Sequence, residues 1–380
     1  MTATPPGATP PGATPPGATP PGALAAAPAA DDPDPPRTLD ALEERLSRPT
    51  GGVCAALERF AGDVVVLGAG GKMGPSLARM ARRALDELGG VHARRRVVAV
   101  SRWADPATAP AARRQLEAWG VATAAADLFD RRALAALPDA GLVVYMAGLK
   151  FGTADAPARM WATNTVAPAL VAERYAGARM VAFSTGNVYP LTPAPGRGAA
   201  EDHPLTPLGE YGNACVARER VLEWACARHA SPLALVRLSY AVDLRYGVLV
   251  DVAERVLRNE RVDVRTGWVQ VIWQGDANAQ ALTSFLRAGD PAFAVNVTGP
   301  EALSVAEVAW RFARQFRRQP RLVGLAAPDA LLSDTSLARR LFGPPAVSSG
   351  RLVDWVAGWL LAGNPTLGRP TKFEVRDGRY

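Results

Sequence analysis

The chain has 380 residues, 48% hydrophobic and 21% charged, with a formal net charge of +7. That composition is globular and long enough for one large domain or two small ones. No run of about 18 apolar residues is free of charge, which excludes a membrane-spanning helix; no basic-then-apolar leader is present, so no secretory signal is expected. Three scattered cysteines (Cys54, Cys215, Cys226) and three histidines suit neither a disulfide framework nor a metal centre. The expectation is a cytoplasmic protein with reduced thiols and no metal. Arginine carries nearly all the positive charge, beside only Lys72, Lys150 and Lys372. It is mixed with acids and forms no basic stripe with interleaved aromatics, so nucleic acid is not an expected partner.

Residues 3–22 are four copies of Ala-Thr-Pro-Pro-Gly. Proline removes backbone donors and glycine adds chain entropy, so residues 1–37 read as a disordered tail rich in proline, glycine and alanine. Leu39, Leu42 and Leu46 then mark a short helix. Strands are predicted at Val64–Leu67, Val97–Val100, Val121–Ala125, Leu142–Met146, Met180–Ser184 and Leu233–Leu238. Helices at 75–88, 109–118, 157–175 and 210–229 alternate with them. Short apolar strands separated by helices make a parallel sheet covered on both faces, an α/β doubly wound architecture of Rossmann type over residues 38–245. Beyond 245 the pattern loosens. Strand-like Val269–Trp273 and Phe293–Val297 and helices near 277–287, 304–316 and 351–362 suggest a smaller mixed C-terminal lobe, 246–380, that interleaves with the sheet domain and holds the substrate.

The first strand runs into Gly68-Ala69-Gly70-Gly71-Lys72-Met73-Gly74 and then a helix. In Gly68-x-x-Gly71-x-x-Gly74 the first glycine permits the tight turn, the second admits a pyrophosphate to the backbone, and the third lets helix pack on strand. Gly68, Gly71, Lys72, Met73 and Gly74 are therefore candidate cofactor contacts; Lys72 reads equally well as a solvated loop lysine. The second strand ends Ser101-Arg102 where a carboxylate would hold the ribose hydroxyls. An arginine there suits a 2′-phosphate, which tilts the expectation from NAD toward NADP; Arg102 as one more surface arginine is nearly as good a reading.

These motifs resemble the extended short-chain dehydrogenase/reductases, specifically the NAD-dependent epimerase/dehydratase family, over about 62–310. The resemblance implies that Asp127-Leu128, after the third strand, contacts the adenine. It implies that Ala147-Gly148-Leu149-Lys150, similar to a segment of UDP-galactose 4-epimerases, sends Lys150 to the cofactor phosphates. Asn164 matches a helix asparagine of the family. In Phe183-Ser184-Thr185-Gly186-Asn187-Val188-Tyr189 the catalytic Ser/Thr falls on Thr185, and Glu201-x-x-Pro204-x-x-Pro207 leads to the catalytic tyrosine, Tyr211. Asn296-Val297-Thr298-Gly299 matches a later Asn-x-x-Gly segment. Family members pair through a helix bundle, which implies a homodimer through the helices near 157–175 and 210–229.

The family's tyrosine is followed four residues later by lysine on the same helix face; here that position holds Cys215. An unassisted tyrosine has a pKa near 10, so about one part in a thousand is phenolate at pH 7. Neutral Tyr211 still donates a proton to a carbonyl, whereas abstraction from a hydroxyl suffers most. Lys150 is a candidate surrogate cation; Arg218 shares the face but, from spacing, lies a turn too far. Cys215 itself is read as a packed small side chain rather than a nucleophile. After the sixth strand only Arg237 and Leu238 match sugar-nucleotide members. Trp268, Gln270, Trp273 and Gln274, ahead of Asp276, either line a polar pocket or alternate on a half-buried strand. The expected function is an NAD(P)-dependent oxidoreductase or epimerase on a hydroxyl or carbonyl of a small, sugar-like, possibly nucleotide-bound substrate. The alternative is a non-catalytic NAD(P)-binding regulator or sensor.

Overall fold

The computed structural model describes residues 34–150 and 156–379. The repeat tail lies outside the described residues except for residues 34–37, which are irregular. Seven strands build the centre: β1 (Val64–Leu67), β2 (Val97–Ser101), β3 (Ala122–Ala125), β4 (Leu142–Tyr145), β5 (Arg179–Thr185), β6 (Leu233–Leu238) and β7 (Phe293–Val297). They form one all-parallel sheet in the order β7-β6-β5-β4-β1-β2-β3. Val64 pairs with Val97 of β2 on one side and Leu142 of β4 on the other. The chain order reverses there, so a crevice opens beyond the carboxyl ends of β1 and β4, where ligands bind in sheets of this kind.

Alternation along each strand splits the core. Val64, Val66, Ala99, Leu142, Val144, Val181, Val236 and Val295 face one way, onto α2 (Gly51–Arg59), α3 (Gly74–Leu88) and α8 (Gln274–Thr283), whose positions follow below. Val65, Leu67, Val143, Met180, Ala182 and Leu235 face the other way, onto α5 (Pro157–Arg174) and α6 (Gly209–Arg228). Both faces are dry, which is why these strands are unbroken apolar runs. α1 (Leu39–Leu46) and α4 (Ala109–Ala118) complete the first half. A second core joins Leu42 and Leu46 of α1 to α7 (Val248–Leu257), α9 (Val305–Phe316) and α10 (Ser349–Leu361).

Two boundaries differ from the sequence reading. Phe293–Val297 is not part of the second lobe: its apolar pattern finds its partner in β6, with Phe293 opposite Ala234 and Val297 opposite Leu238. α1 precedes the sheet in sequence yet packs in the second core. The stretch Val269–Trp273 is also no single strand. Trp268–Val269 pairs antiparallel with Leu303–Ser304, and Ile272–Trp273 pairs parallel with Ala241–Val242.

One hydroxyl stitches α8 to α3. Ser76 Oγ accepts from Gln274 Nε2 at 2.8 Å and from Asn278 Nδ2 at 3.0 Å, all three residues buried. Ser76→Ala strands two buried amide donors, each costing about 1–3 kcal/mol. A loss of at least about 1 kcal/mol in urea unfolding is expected, with the sheet's circular dichroism unchanged.

Candidate functional site

The loop after β1 is shaped by close approach. Gly68 has φ +88°, and a Cβ on it would lie 2.6 Å from the Ala147 nitrogen. A Cβ on Gly74 would lie 2.3 Å from the Ala69 carbonyl oxygen. These two glycines clamp the turn between the β4 exit and the start of α3. Gly71, between them, is exposed and meets nothing nearer than the Gly68 carbonyl oxygen at 3.4 Å. Met73 precedes α3 without a side-chain cap; the Gly74 N–H donates to the Gly71 carbonyl at 3.2 Å, and Pro75 has no N–H to satisfy.

Lys72 is neither freely solvated nor aimed along the loop. Its Nζ donates to the Ala241 carbonyl at 2.8 Å and lies 5.0 Å from the Tyr246 ring centre, tying the glycine loop to the segment after β6. Burial pulls its pKa down to about 8; Asp243 opposes that shift and Arg245 adds to it.

On the other wall, Met146, Ala147, Gly148, Leu149 and Lys150 leave β4. Lys150 Nζ stands 5.6 Å from the Tyr211 ring centre. Burial lowers its pKa to about 8 as well. Asn164 of α5 is fully buried, and its side chain is spent on protein: Nδ2 donates to the Leu149 and Met160 carbonyls at 3.2 and 3.0 Å, and Oδ1 accepts from Arg218 at 3.1 Å. These bonds hold the β4 loop and Arg218 in place.

Tyr211 sits in the first turn of α6, buried, its side chain hydrogen-bonded to that of Cys215. Cys215 is fully buried, and desolvation raises its thiol pKa despite the cations nearby. It is a packed group, not a poised nucleophile. Arg218 is not a turn too far: its Nη2 donates to Cys215 Sγ at 3.4 Å. Thr185, at the end of β5, donates its hydroxyl to Asn187 Oδ1 at 3.1 Å and accepts from the Asn187 N–H at 3.2 Å. From that strand Phe183 and Ser184, rather than Thr185, line the cleft.

Together these walls enclose a cleft of about 340 Å³ running from Gly68, Gly71, Lys72 and Met73 to Gly148, Lys150, Tyr211 and Arg218. At the other end of the loop, Arg102 is exposed beyond β2 and Asp127 is exposed beyond β3, its carboxylate taking the Phe129 N–H at 3.0 Å; Leu128 packs on the core. Neither Arg102 nor Asp127 lines the cleft.

The family of NAD dependent epimerases/dehydratases matches residues 64–258, just over half of the chain. The chain belongs to the NAD dependent epimerase/dehydratase family. Solved structures share the fold across most of its length. The UDP-glucose 4-epimerase of Thermotoga maritima, with UDP-glucose, is 17% identical with a TM-score of 0.63, over 79% of this chain and 99% of that one. The UDP-Glc/GlcNAc 4-epimerase of Campylobacter jejuni is 18% identical with a TM-score of 0.64, over 80% and 99%. The UDP-glucuronic acid 4-epimerase of Bacillus cereus, in complex with NAD, is 18% identical with a TM-score of 0.63, over 79% and 99%. No curated protein matches the chain in sequence.

Several family-like residues form a buried brace behind the cleft. Arg237 of β6 binds Glu219 of α6 through Nη2 at 2.8 Å and Nε at 3.1 Å, and Ser184 donates to the same carboxylate. Arg237 Nη1 also reaches Tyr189 Oη at 2.7 Å, which donates to Asn296 Oδ1 at 2.8 Å; Glu201 takes the Asn296 N–H at 2.8 Å. Gln270 and Gln274 are likewise spent on protein partners. Gln270 pairs both ways with the Ser333 backbone, and Gln274 binds Ser76. Asp276 accepts from the Val347 N–H at 3.1 Å, and burial raises its pKa to about 7.

The second segment contributes cleft residues that sequence reasoning missed: Tyr240, Ala241, Tyr246, Gly247, Val248 and Thr371. Only Gly247, at φ +139° ahead of α7, carried a local signal. The C-terminal segment walls the far side. Thr371 is bound to Asp251 through its N–H at 2.8 Å and its hydroxyl, Thr266 Oγ1 donates to the Phe373 carbonyl at 3.0 Å, and Val375 packs on the cluster holding Tyr211. Trp103 was also missed. It follows β2, donates its indole N–H to the Ala124 carbonyl at 2.8 Å, and stands 3.6 Å from where a Gly70 Cβ would be.

Asn164→Ala leaves Arg218 and the Leu149 carbonyl short of a partner. With about 1–3 kcal/mol per stranded buried group, a loss of about 2 kcal/mol or more in chemical unfolding is expected, together with faster amide exchange at residues 147–150.

Proposed function

We propose that the chain binds an NAD-type dinucleotide with its diphosphate over the Gly68–Gly74 turn, and that Tyr211 passes a proton to or from a hydroxyl or carbonyl of a sugar-like substrate. The juxtaposition that carries this is one cleft holding both an open glycine turn at a helix N-terminus and a buried tyrosine beside a lysine. The residues fit the dinucleotide. Gly71 leaves its outer face clear, and among the described residues the lining includes Lys72, Lys150 and Arg218 and no carboxylate. When bound, the nicotinamide supplies hydride acceptance or donation. The chain's residues do the rest. The glycine turn and Lys150 hold the phosphates, and Tyr211 handles the proton.

UDP-sugar 4-epimerases of this fold supply the substrate class, a nucleotide-bound or simpler sugar. The family name and the NAD complexes of related structures favour NAD. Arg102, exposed after β2, is the one feature that favours a 2′-phosphate. Val166 and Trp224, exposed on α5 and α6, mark the surface on which two copies would pair. A second reading, dinucleotide binding without turnover, draws on Thr185's occupied hydroxyl and on Cys215. Hydride exchange with a panel of nucleotide sugars separates the two.

Calorimetry with oxidised and reduced NAD and NADP is the direct test. Gly71→Glu puts a carboxylate where the diphosphate would lie without touching the core, and is expected to weaken binding at least tenfold. No heat with any of the four ligands, or equal affinity in the variant, would falsify the reading.

Lys150 and Lys72 lose their charge as pH rises through about 8, well below the ordinary lysine value. Affinity for the dinucleotide is therefore expected to fall between pH 7 and pH 9. Lys150→Met lowers affinity at pH 7 and flattens that slope, measured in the same titration.

A further inference from the structure

We propose that Arg218 is the positioning cation of this site, supplying beside Tyr211 the positive charge that position 215 does not. The inference rests on Tyr211 being the proton-exchanging group.

Helix geometry brings the three residues together. Side chains on a helix lean toward its N-terminus, so a long arginine two turns after Tyr211 reaches back over Cys215. Arg218 Nη2 lies 3.4 Å from Cys215 Sγ, and the Tyr211 side chain is hydrogen-bonded to that same group. The guanidinium lines the cleft together with Tyr211 and Lys150.

The position is built rather than incidental. Arg218 is 4% exposed and is steered by Asn164, which is itself held by two backbone carbonyls. Among the described residues no carboxylate forms an ion pair with it. Its sequence neighbour Glu219 is committed to Arg237 and Ser184. Its Nε is buried without a partner. A buried cation without a counter-ion is costly, and here its field falls on the groups around it. Those groups are Tyr211, Cys215 and Glu219 on α6 and Tyr145 on β4; Lys150, on the β4 exit, acts on the same Cys215. Lys72 faces them from the opposite wall of the cleft, and Arg237 lies behind Glu219.

The two cations differ in one respect. A guanidinium stays protonated at any accessible pH, whereas burial brings Lys150 down to about 8. Arg218 therefore still favours the phenolate at a pH where Lys150 has become neutral.

The test uses the full chain labelled with 13Cζ-tyrosine, without dinucleotide or substrate. Seven tyrosines give the signals, and Tyr211→Phe identifies the one of interest. A neighbouring cation is worth about 1–3 units to an acid. Arg218→Gln should therefore raise the Tyr211 titration midpoint by about one unit or more. Arg218→Lys should hold it near the parent value, and the double variant Cys215→Lys/Arg218→Gln should bring it back. Should Arg218→Gln fail to fold, Asn164→Asp gives the guanidinium a counter-ion in nearly the same shape and should raise the midpoint in the same direction. A Tyr211 midpoint unmoved in a folded Arg218→Gln or Asn164→Asp protein overturns the inference. Because no cofactor is present, that outcome leaves the dinucleotide reading standing; absent dinucleotide binding in calorimetry would sink the latter alone.

Discussion

The site hangs on the ion pair between Glu219 and Arg237. Its carboxylate is 0% exposed and accepts from Arg237 and from Ser184, so a single buried group fastens α6 to both β6 and β5. The same arginine continues through Tyr189 to Asn296, and so to β7. Removing one partner of such a pair typically costs about 3–5 kcal/mol because the other charge is left bare. α6 carries Tyr211, Cys215 and Arg218 on turns adjoining Glu219, and their placement over the cleft is inherited from that anchor.

Much of the architecture was readable because a parallel sheet covered on both faces must be apolar at every position. β1, β2, β4, β5 and β6 announce themselves as runs such as Val64-Val65-Val66-Leu67. β7 has the same character, but which strand it pairs with is a long-range matter that no local pattern encodes. Gly68 and Gly74 were legible because their role is backbone clearance, and each would drive a Cβ into its neighbours. The polar residues of the resemblance were harder to assign. Glu201, Arg237 and Asn296 fall at family positions, yet they are spent behind the cleft: Glu201 takes the Asn296 backbone N–H, Arg237 reaches the Glu201 carbonyl and Tyr189, and Asn296 accepts from Tyr189. Asn164 likewise serves the wall. Spacing set Arg218 apart from Tyr211, because counting residues measures distance between Cα atoms and ignores a long side chain that leans back along its helix.

The cleft is also one-signed. Lys72 enters from the glycine turn, Lys150 from the β4 exit and Arg218 from α6, and among the described residues no aspartate or glutamate lines it. Such a concentration of like charge between low-dielectric walls draws in anions, while burial itself holds down the basicity of Lys72 and Lys150. The diphosphate reading and the role proposed for Arg218 thus draw on one arrangement of charges.

The chain passes back and forth between the two cores. α1 belongs to the second core and α2 to the first; α7 lies in the second, α8 and β7 return to the first, and α9 and α10 end in the second. Parts joined by so many strands of backbone resist swinging apart about a single hinge. The two halves are therefore not free to open like a book.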